Sequence, residues 1–598
     1  MFNFFSEYNF TIDENDPNDA EVGVDPEMLG KIFENLLEDN KDKGAFYTPK
    51  EIVRYMCQES LIAYLDTATS IAAEKIRKFV ITPEEGVSDI PENKKGKLLD
   101  ALKDVKICDP AIGSGAFPMG LLNELLKCRE ALLGTRTGNG IMETSIKYEN
   151  EIKNIQPSFP SPYLVPNSRS QIKKDIIQNN IYGVDIEKGA VDIARLRFWL
   201  SIVVDEETPS PLPNLDYKIM QGNSLIESYR GLDLSKLTYA KKGFDIVIGN
   251  PPYVVVNKKD YPQYEWNTDL YKMFYELGVK KLLACNGCLN FITPKFWMLN
   301  LEDELMRKYF SNNMFIKHIS LCNPFETAVT ENSIILFTNK HDIQKEIPLY
   351  KYNNESRLFE ENTPIDIEYC LTNLHYEWTI GIDKSIITLL SKLSNNIKLK
   401  EISTSKRGAE ISKKNMRDTM VGIPSLIGQD MKKYSIQWDN TYIDIKHKEF
   451  GRLASFFNNE LIYLRRVDVC LEATVSDIPY GFNKNVYGIK IDEKKGFKTK
   501  FVLGLLNSKL LDFYYKKKFS TKKEDVFPEI QTYLYEQLPI PQTSQSLQKE
   551  IIDIVDDILQ IKKNDSGADA SLLEQEIDKL VYKLYGLTEE EIRVVEGK

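Results

Sequence analysis

Two short runs in this 598-residue chain hold side chains suited to chemistry. The first is NPPY, Asn250 to Tyr253, directly after the apolar run FDIVIG. Pro251 and Pro252 fix the backbone and leave carbonyls without competing N–H groups. The Asn250 amide oxygen and the Pro251 carbonyl can then accept both hydrogens of one amino group, and Tyr253 offers a ring face to a planar substrate. This suits an amino nitrogen whose lone pair is conjugated into a ring or carbonyl. Accepting both N–H bonds helps that nitrogen become tetrahedral as it attacks.

The second run is DPAIGSGAF (109–117), between a strand-like stretch and a helical one. Gly113 and Gly115 allow a tight turn and close approach of a ligand to a helix N-terminus. A strand-to-helix turn without a ligand would carry the same glycines. The run is neither G-x-x-x-x-G-K-S/T nor a full G-x-G-x-x-G, so a nucleoside triphosphate is disfavoured. Asp185 closes the next apolar run, NIYGVDI (180–186). An acid at the end of the second strand of an open α/β sheet accepts ribose hydroxyls. Here it follows Asp109 by 76 residues, against the common spacing of about 20. The Gly-, Ser-, Asn- and Pro-rich stretch 131–170 accounts for the excess as a long loop or insertion.

The elements that must position these residues follow from hydrophobic patterning. VKICDP (105–110), NIYGVDI, FDIVIGNPPY (244–253), CLNFITP (288–294) and NSIILF (332–337) read as strands, with helical patterns between several of them. That alternation predicts a mostly parallel sheet covered by helices. Upstream, PEMLGKIFENLLED (26–39) has helical spacing, GAFYTP (44–49) breaks it, and EIVRYMCQESLIAYL resumes an amphipathic helix. After about 385 the rhythm is lost among lysines, β-branched residues and turn signals. LPIP (538–541) punctuates, and 547–584 reads as two amphipathic helices split by NDSGAD (564–569). The expected division is 1–43, a helical segment; 44–384, an α/β domain; 385–545, an α+β domain; and 546–598, a C-terminal helical segment.

GAFYTP, DPAIGSGAF, the VDI of Asp185, GNSL (222–225), NPPY and DLYKMFYE (269–276) occur in that order. Together they resemble the S-adenosylmethionine-dependent DNA methyltransferases of the gamma, N6-adenine class. VDPEMLGKIFENLL and CLNFITP resemble the type IIG restriction–modification methylases in particular. The resemblance covers about 20–340 and implies a Rossmann-like methyltransferase domain. It implies that Phe46, Tyr47, Thr48 and Pro49 close over the cofactor and that Asp109, Ala111, Gly113 and Gly115 surround its methionine part. Asp185 would hold the ribose and Ile186 pack on adenine. Asn223 stands where the family usually has Asp to read the cofactor adenine; it keeps an acceptor oxygen and loses the charge. Asn250, Pro251, Pro252 and Tyr253 match the catalytic tetrad. Phe325 matches loosely an aromatic on the other face of the target base. The implied reaction is direct methyl transfer to the N6 amino group of an adenine flipped out of double-stranded DNA, with no metal.

Type IIG chains usually carry a nuclease domain ahead of the methylase. The expectation here is a chain resembling such a protein without its N-terminal part, with a separate nuclease or other defence-system subunit as a candidate further partner. Within 385–545, KRGAEISKKNMR (406–417), IGQDMKKY (427–434), LRRVD (464–468) and FNKNVYG (482–488) mix bases, amides and aromatics. Such side chains read base edges and meet phosphates, although each run alone also fits a solvated face. RGAEISK and LGLLNSKLLDFYY resemble the target recognition domain of type IIG and type I specificity chains. The candidate DNA contacts are Arg407, Lys413, Lys414, Lys432, Lys433, Arg465, Arg466, Lys484, Lys516, Lys517 and Lys518. Two other readings stay open: a DNA-binding specificity subunit with a vestigial cofactor site, against which the intact NPPY and GSG argue, and a protein glutamine methyltransferase, since NPPY also occurs in such enzymes.

Charge and composition agree with a globular nucleic-acid enzyme. The net charge of -11 hides its distribution: 1–40 carries -10 and 546–598 carries -6, so 41–545 is +5. Polyanion binding depends on local fields, and 480–523 holds twelve lysines against three acids. Apolar residues make up 42% and charged residues 28%, which excludes disorder and collagen for the bulk. No apolar run reaches the roughly 18 residues of a membrane helix, and the N-terminus has no basic start followed by an apolar stretch. Cys285 and Cys288 form a C-x-x-C without a partner pair, and the four histidines are scattered, so no metal site is expected. The expected setting is a reducing cytoplasm.

Overall fold

A computed structural model describes residues 48–134, 168–206, 211–226, 243–266, 269–323, 331–338, 344–372, 376–411, 422–443, 453, 456, 460–466, 470–519 and 530–597. It divides the chain into two compact units, Met1–Gly381 and Ile382–Lys598. Among the described residues no helix is long and apolar enough to cross a membrane.

The first unit is built on a nine-stranded mixed sheet, mostly parallel. Its strands are β1 (Ile107–Asp109), β2 (Ile181–Asp185), β3 (Ile219–Gln221), β4 (Phe244–Gly249), β5 (Leu283–Pro294), β6 (Phe315–Cys322), β7 (Asn332–Thr338), β8 (Glu346–Asn353) and β9 (Leu358–Asp366). They lie in the order β3-β2-β1-β4-β5-β7-β6-β8-β9. From β3 to β5 every neighbour is parallel, and β7 runs antiparallel to both β5 and β6. The chain steps outward from β1 to β3, then returns to β4 and moves the other way. Right-handed crossovers therefore put helices on opposite faces of the two halves.

The packing shows this division. Ile107, Ile181, Ile246, Ile248 and Ile292 face one core, which they share with helices α1 (Lys50–Thr69), α2 (Ala116–Leu133), α3 (Arg169–Asn179) and α4 (Lys188–Val203). Their alternating neighbours Cys108, Tyr182, Val247, Leu289 and Phe291 face a second core, with α5 (Leu270–Leu277) and α6 (Glu304–Asn313). A sheet buried on both faces explains why its strands read as near-continuous apolar runs.

All five expected strands are present. The structure adds β3, β6, β8 and β9. β9 was silent in sequence because it is an edge strand whose residues LFEENTPID are mostly exposed. The helical pattern at 26–39 lies outside the described residues. The stretch 131–170 begins inside α2 and ends inside α3, and 135–167 lies outside the described residues.

The second unit mixes short strands and helices. Four strands pair antiparallel in the order Ser403–Arg407, Val486–Ile491, Ile462–Arg465, Ala473–Val475. Helix Thr499–Leu506 crosses helix Gln545–Asn564 at Gly504, where a Cβ would come within 2.7 Å of Ile551 Cγ2. The C-terminal helices thus pack inside this unit. They number three, because Glu589–Glu596 forms a further helix after Ser571–Leu584.

Candidate active site and nucleic-acid interface

Open α/β sheets bind ligands beyond the carboxyl ends of the strands where strand order reverses. Here that point lies between β1 and β4, and Asp109, Asp185 and Asn250 stand at the ends of β1, β2 and β4.

The turn after β1 is pinned onto β2. Ile112 N–H donates to the Val184 carbonyl at 3.0 Å. Gly183 makes this approach possible, since a Cβ there would stand 2.3 Å from Ile112 Cδ1. Gly113 and Gly115 take φ of 53° and 91°, left-handed values that glycine adopts at low cost. Arg197 donates to the Ser114 carbonyl at 2.8 Å, and Ser224 Oγ to the Pro110 carbonyl at 2.6 Å. Asp185 joins this bracing: Oδ2 accepts the Gly113 N–H at 2.8 Å and Oδ1 the Glu187 N–H at 2.9 Å. Burial raises its carboxyl above the usual range. Ile186, next to it, is 62% exposed, an apolar surface at the strand end.

Asp109 is buried. Its Oδ1 accepts the Ala111 N–H at 3.0 Å, while Oδ2 has no hydrogen-bond partner among the described residues. Desolvation, with a contribution from the Asp185 carboxylate, pushes its carboxyl up to about 8. Gly249 makes room for it, because a Cβ there would lie 2.7 Å from Asp109 Oδ1.

Asn250 Nδ2 donates to Thr48 Oγ1 at 3.1 Å. Thr48 and Pro49 lead into α1, whose first turn donates the Ile52 and Val53 N–H groups to the Pro49 carbonyl at 3.0 Å. α1 is held against β5 by the buried Asn290 amide, which donates to the Met56 carbonyl at 3.2 Å and Ser60 Oγ at 3.0 Å. The segment before α1 and the end of β4 therefore share one rigid support. Tyr253 donates its hydroxyl to the Ile292 carbonyl of β5 at 3.0 Å, and its ring meets Tyr271 edge-on at 6.0 Å. Burial pushes its phenol well above its ordinary value. Asn223 Oδ1 accepts the Leu225 N–H at 3.0 Å. Phe46, Tyr47 and Phe325 lie outside the described residues.

Residues 179–327 match the family model described as Eco57I restriction-modification methylase, and 423–540 match the TaqI-like C-terminal specificity domain. The chain carries a restriction–modification methylase domain and a specificity domain. Along 98% of its length it is 23% identical to a putative type II restriction enzyme and methyltransferase from Methanocaldococcus jannaschii, of which it spans 62%. In fold it is similar to the type IIL restriction-modification enzyme MmeI, solved in complex with DNA. The TM-score is 0.61 at 14% identity, covering 96% of this chain and 81% of that one.

The methylase site can be tested for fit to S-adenosylmethionine from its own side chains. A buried carboxylate oxygen without a partner at Asp109 suits a cationic group. The glycine loop at 113–115 leaves space for backbone approach, and Asp185 beside an exposed Ile186 suits a ribose next to a flat ring. The residues present fit the group. Among the described residues no three His, Cys, Asp or Glu side chains gather as a metal set.

In the specificity domain three of the base-rich runs converge. Lys484 Nζ lies 2.9 Å from Glu410 Oε1, and Arg407 Nη2 lies 3.5 Å from Glu410 Oε2. Arg407 Nε also donates to the Lys484 carbonyl at 3.2 Å. Lys484 first, then Arg407 and Arg466, hold the Glu410 carboxyl below its ordinary range. Gly408 permits this crossing, since a Cβ there would stand 2.1 Å from the Asn483 carbonyl oxygen. Arg465 pairs with Glu472 at 3.0 Å, and Lys432 is exposed. Lys433 donates to the Asn507 carbonyl at 2.9 Å, so its ammonium serves inside the unit. Lys516, Lys517 and Lys518 form the last turn of helix Lys509–Phe519, with Lys516 paired to Asp512 at 2.7 Å. Lys413 and Lys414 lie outside the described residues.

Sequence reasoning did not single out Gly249, Glu410 or Asn290. Gly249 had a usable signal, a glycine directly before Asn250. Asn290 acts through Met56 and Ser60, and Glu410 joins its near neighbour Arg407 to the distant Lys484, pairings that no local pattern announces.

Proposed function

We propose that this chain is a site-specific DNA methyltransferase. It transfers a methyl group from S-adenosylmethionine to the N6 amino group of an adenine flipped from double-stranded DNA, in a restriction–modification or related anti-phage system. The observation that supports this reading is that Asn250 follows β4, the parallel neighbour of β1, so Asn250 and the carboxyls Asp109 and Asp185 stand at the carboxyl ends of neighbouring parallel strands.

The cofactor supplies a methyl carbon activated by a sulfonium leaving group. Asp109, Gly113, Gly115, Asp185, Ile186 and Asn223 would hold it. The protein's own task is positioning. Asn250 Oδ1 and the Pro251 carbonyl accept the two amino hydrogens, which lets the nitrogen lone pair leave conjugation with the ring. Thr48 orients the Asn250 amide from the opposite end. Tyr253, fixed by its bond to Ile292, supports one face of the extruded base, and Phe325 is the candidate for the other. The gain comes from alignment of the reacting atoms and from preorganised acceptors where charge develops. Arg407, Arg466 and Lys484 around Glu410 give the specificity domain a cationic cluster suited to phosphates and base edges.

The test uses the purified full chain, S-adenosylmethionine and plasmid DNA, followed by digestion to nucleosides and mass spectrometry. N6-methyladenine at a defined sequence is expected. N4-methylcytosine as the sole product, or unmodified DNA with a modified protein glutamine, would overturn the reading.

A further inference from the structure

Asn223 stands where the resemblance implies an aspartate, and this difference poses a physical problem. A carboxylate presents the same atom at both ends. An amide presents an oxygen at one end and an NH2 at the other, so only one of its two orientations offers an acceptor to a ligand's amino group. Something must hold the correct one.

Two contacts do so. The Leu225 backbone N–H can only donate, and it lies 3.0 Å from Asn223 Oδ1. Oδ1 keeps a second lone pair for a ligand. At the other end, Nδ2 donates to the Tyr261 hydroxyl oxygen at 3.1 Å. Tyr261 belongs to none of the motifs above. It comes from the stretch after NPPY, where Asn257 Oδ1 accepts the Lys259 N–H at 3.1 Å and starts a short 3-10 turn, Lys258–Asp260. Two residues beyond Tyr261, Gln263 Nε2 donates to the Leu225 carbonyl at 2.8 Å. The stretch thus grips the Asn223–Leu225 turn twice, once on the amide and once on the backbone.

We propose that Tyr261 is a positioning residue for cofactor binding, whose hydroxyl fixes the Asn223 amide with Oδ1 presented to the exocyclic amino group of the cofactor's adenine. The proposal rests on the methyltransferase reading above, and it assigns a role to the stretch that follows the catalytic tetrad. The hydroxyl acts through the Asn223 amide that it holds. Its importance therefore depends on which residue occupies position 223.

A double-mutant cycle tests this with calorimetric titration of S-adenosylmethionine into the full chain. In the native background Tyr261→Phe should weaken affinity about fivefold, the scale of one neutral hydrogen bond. In an Asn223→Ala background, where no amide remains to be held, the same change should cost less than about twofold. Gln263→Ala removes the backbone grip without touching the amide, so its effect should be equal in both backgrounds. Unchanged melting temperatures for Tyr261→Phe in each background would accompany the expected result. Equal effects of Tyr261→Phe in the two backgrounds, zero included, would overturn the proposal and leave Tyr261 a loop residue. Failure of the native chain to bind S-adenosylmethionine would overturn the cofactor reading itself, and the proposal with it.

Discussion

Asp109→Asn should stabilise the ligand-free protein at neutral pH and weaken its hold on the cofactor. The carboxyl is buried, one of its oxygens has no partner among the described residues, and desolvation pushes it from 3.8 up to about 8. For a carboxyl raised by folding, the folded state binds the proton more tightly than the unfolded state. Stability is therefore greatest below the unfolded value and falls as pH rises from about 4 to about 8. At about 1.4 kcal/mol per unit, the loss reaches an upper bound of about 4 kcal/mol by pH 7. Asparagine keeps an oxygen for the Ala111 N–H and cannot ionise, so this loss should vanish in the variant. Urea unfolding of both proteins at pH 5 and pH 8 measures it: the native chain should lose midpoint on going to pH 8, and the variant should lose clearly less. Adding S-adenosylmethionine should reverse the ranking at pH 8, because only a carboxylate there can meet a cationic group. Identical pH dependence in the two proteins would refute the assignment of Asp109 as a strained, unsatisfied acid.

Asn250→Ala should lower methyl transfer by about 10²–10³ with cofactor affinity retained, by analogy with a lost transition-state hydrogen bond; single-turnover kinetics beside calorimetry check it, and near-native turnover would remove Asn250 from the chemistry. Asp185→Ala should weaken S-adenosylmethionine binding by about 1–3 kcal/mol, since it removes a ligand acceptor and also the anchor of the Gly113 N–H; unchanged affinity in calorimetry would exclude both roles. Lys484→Ala should lower DNA affinity on every sequence and flatten the salt slope by about one if it meets a phosphate; a changed sequence preference at an unaltered slope would make it a base reader instead. Gly408→Ala should disrupt the specificity domain, because its Cβ would collide with the Asn483 carbonyl at 2.1 Å; retained site-specific DNA binding in a gel-shift assay would show that the crossing is dispensable.

The parts of the site that were readable in the sequence are those whose geometry is local. A glycine pair before a helix, an acid at a strand end and an asparagine followed by two prolines each carry their backbone consequences within a few residues. The five strands that hold them read clearly because β1, β2, β4, β5 and β7 are largely buried on both faces, so their apolar runs are nearly continuous. β3 has three residues and is already exposed at Gln221, so no apolar run marks it. β6 interrupts its apolar run with Lys317 and His318, and β9 turns mostly to solvent. Burial wrote the pattern, and where burial ends the pattern ends.

The bracing of the site is another matter, because it is made between residues far apart in the chain. Asn250 and Thr48 are 202 residues apart, Asn290 and Met56 234, and Ser224 and Pro110 114. Nothing in the local sequence announces which of these residues pair with one another. Topology makes them specific: parallel strands bring their carboxyl ends to one edge, and every segment that leaves that edge passes the same crevice. The stretch after NPPY leaves β4 there and passes the turn that follows β3, which is how Tyr261 comes to meet Asn223. The same constraint explains why Gly249 matters. On a strand wedged between β1 and β5, a single methyl at that position would displace the Asp109 carboxyl, and with it the acceptor oxygen that the site offers to a cation.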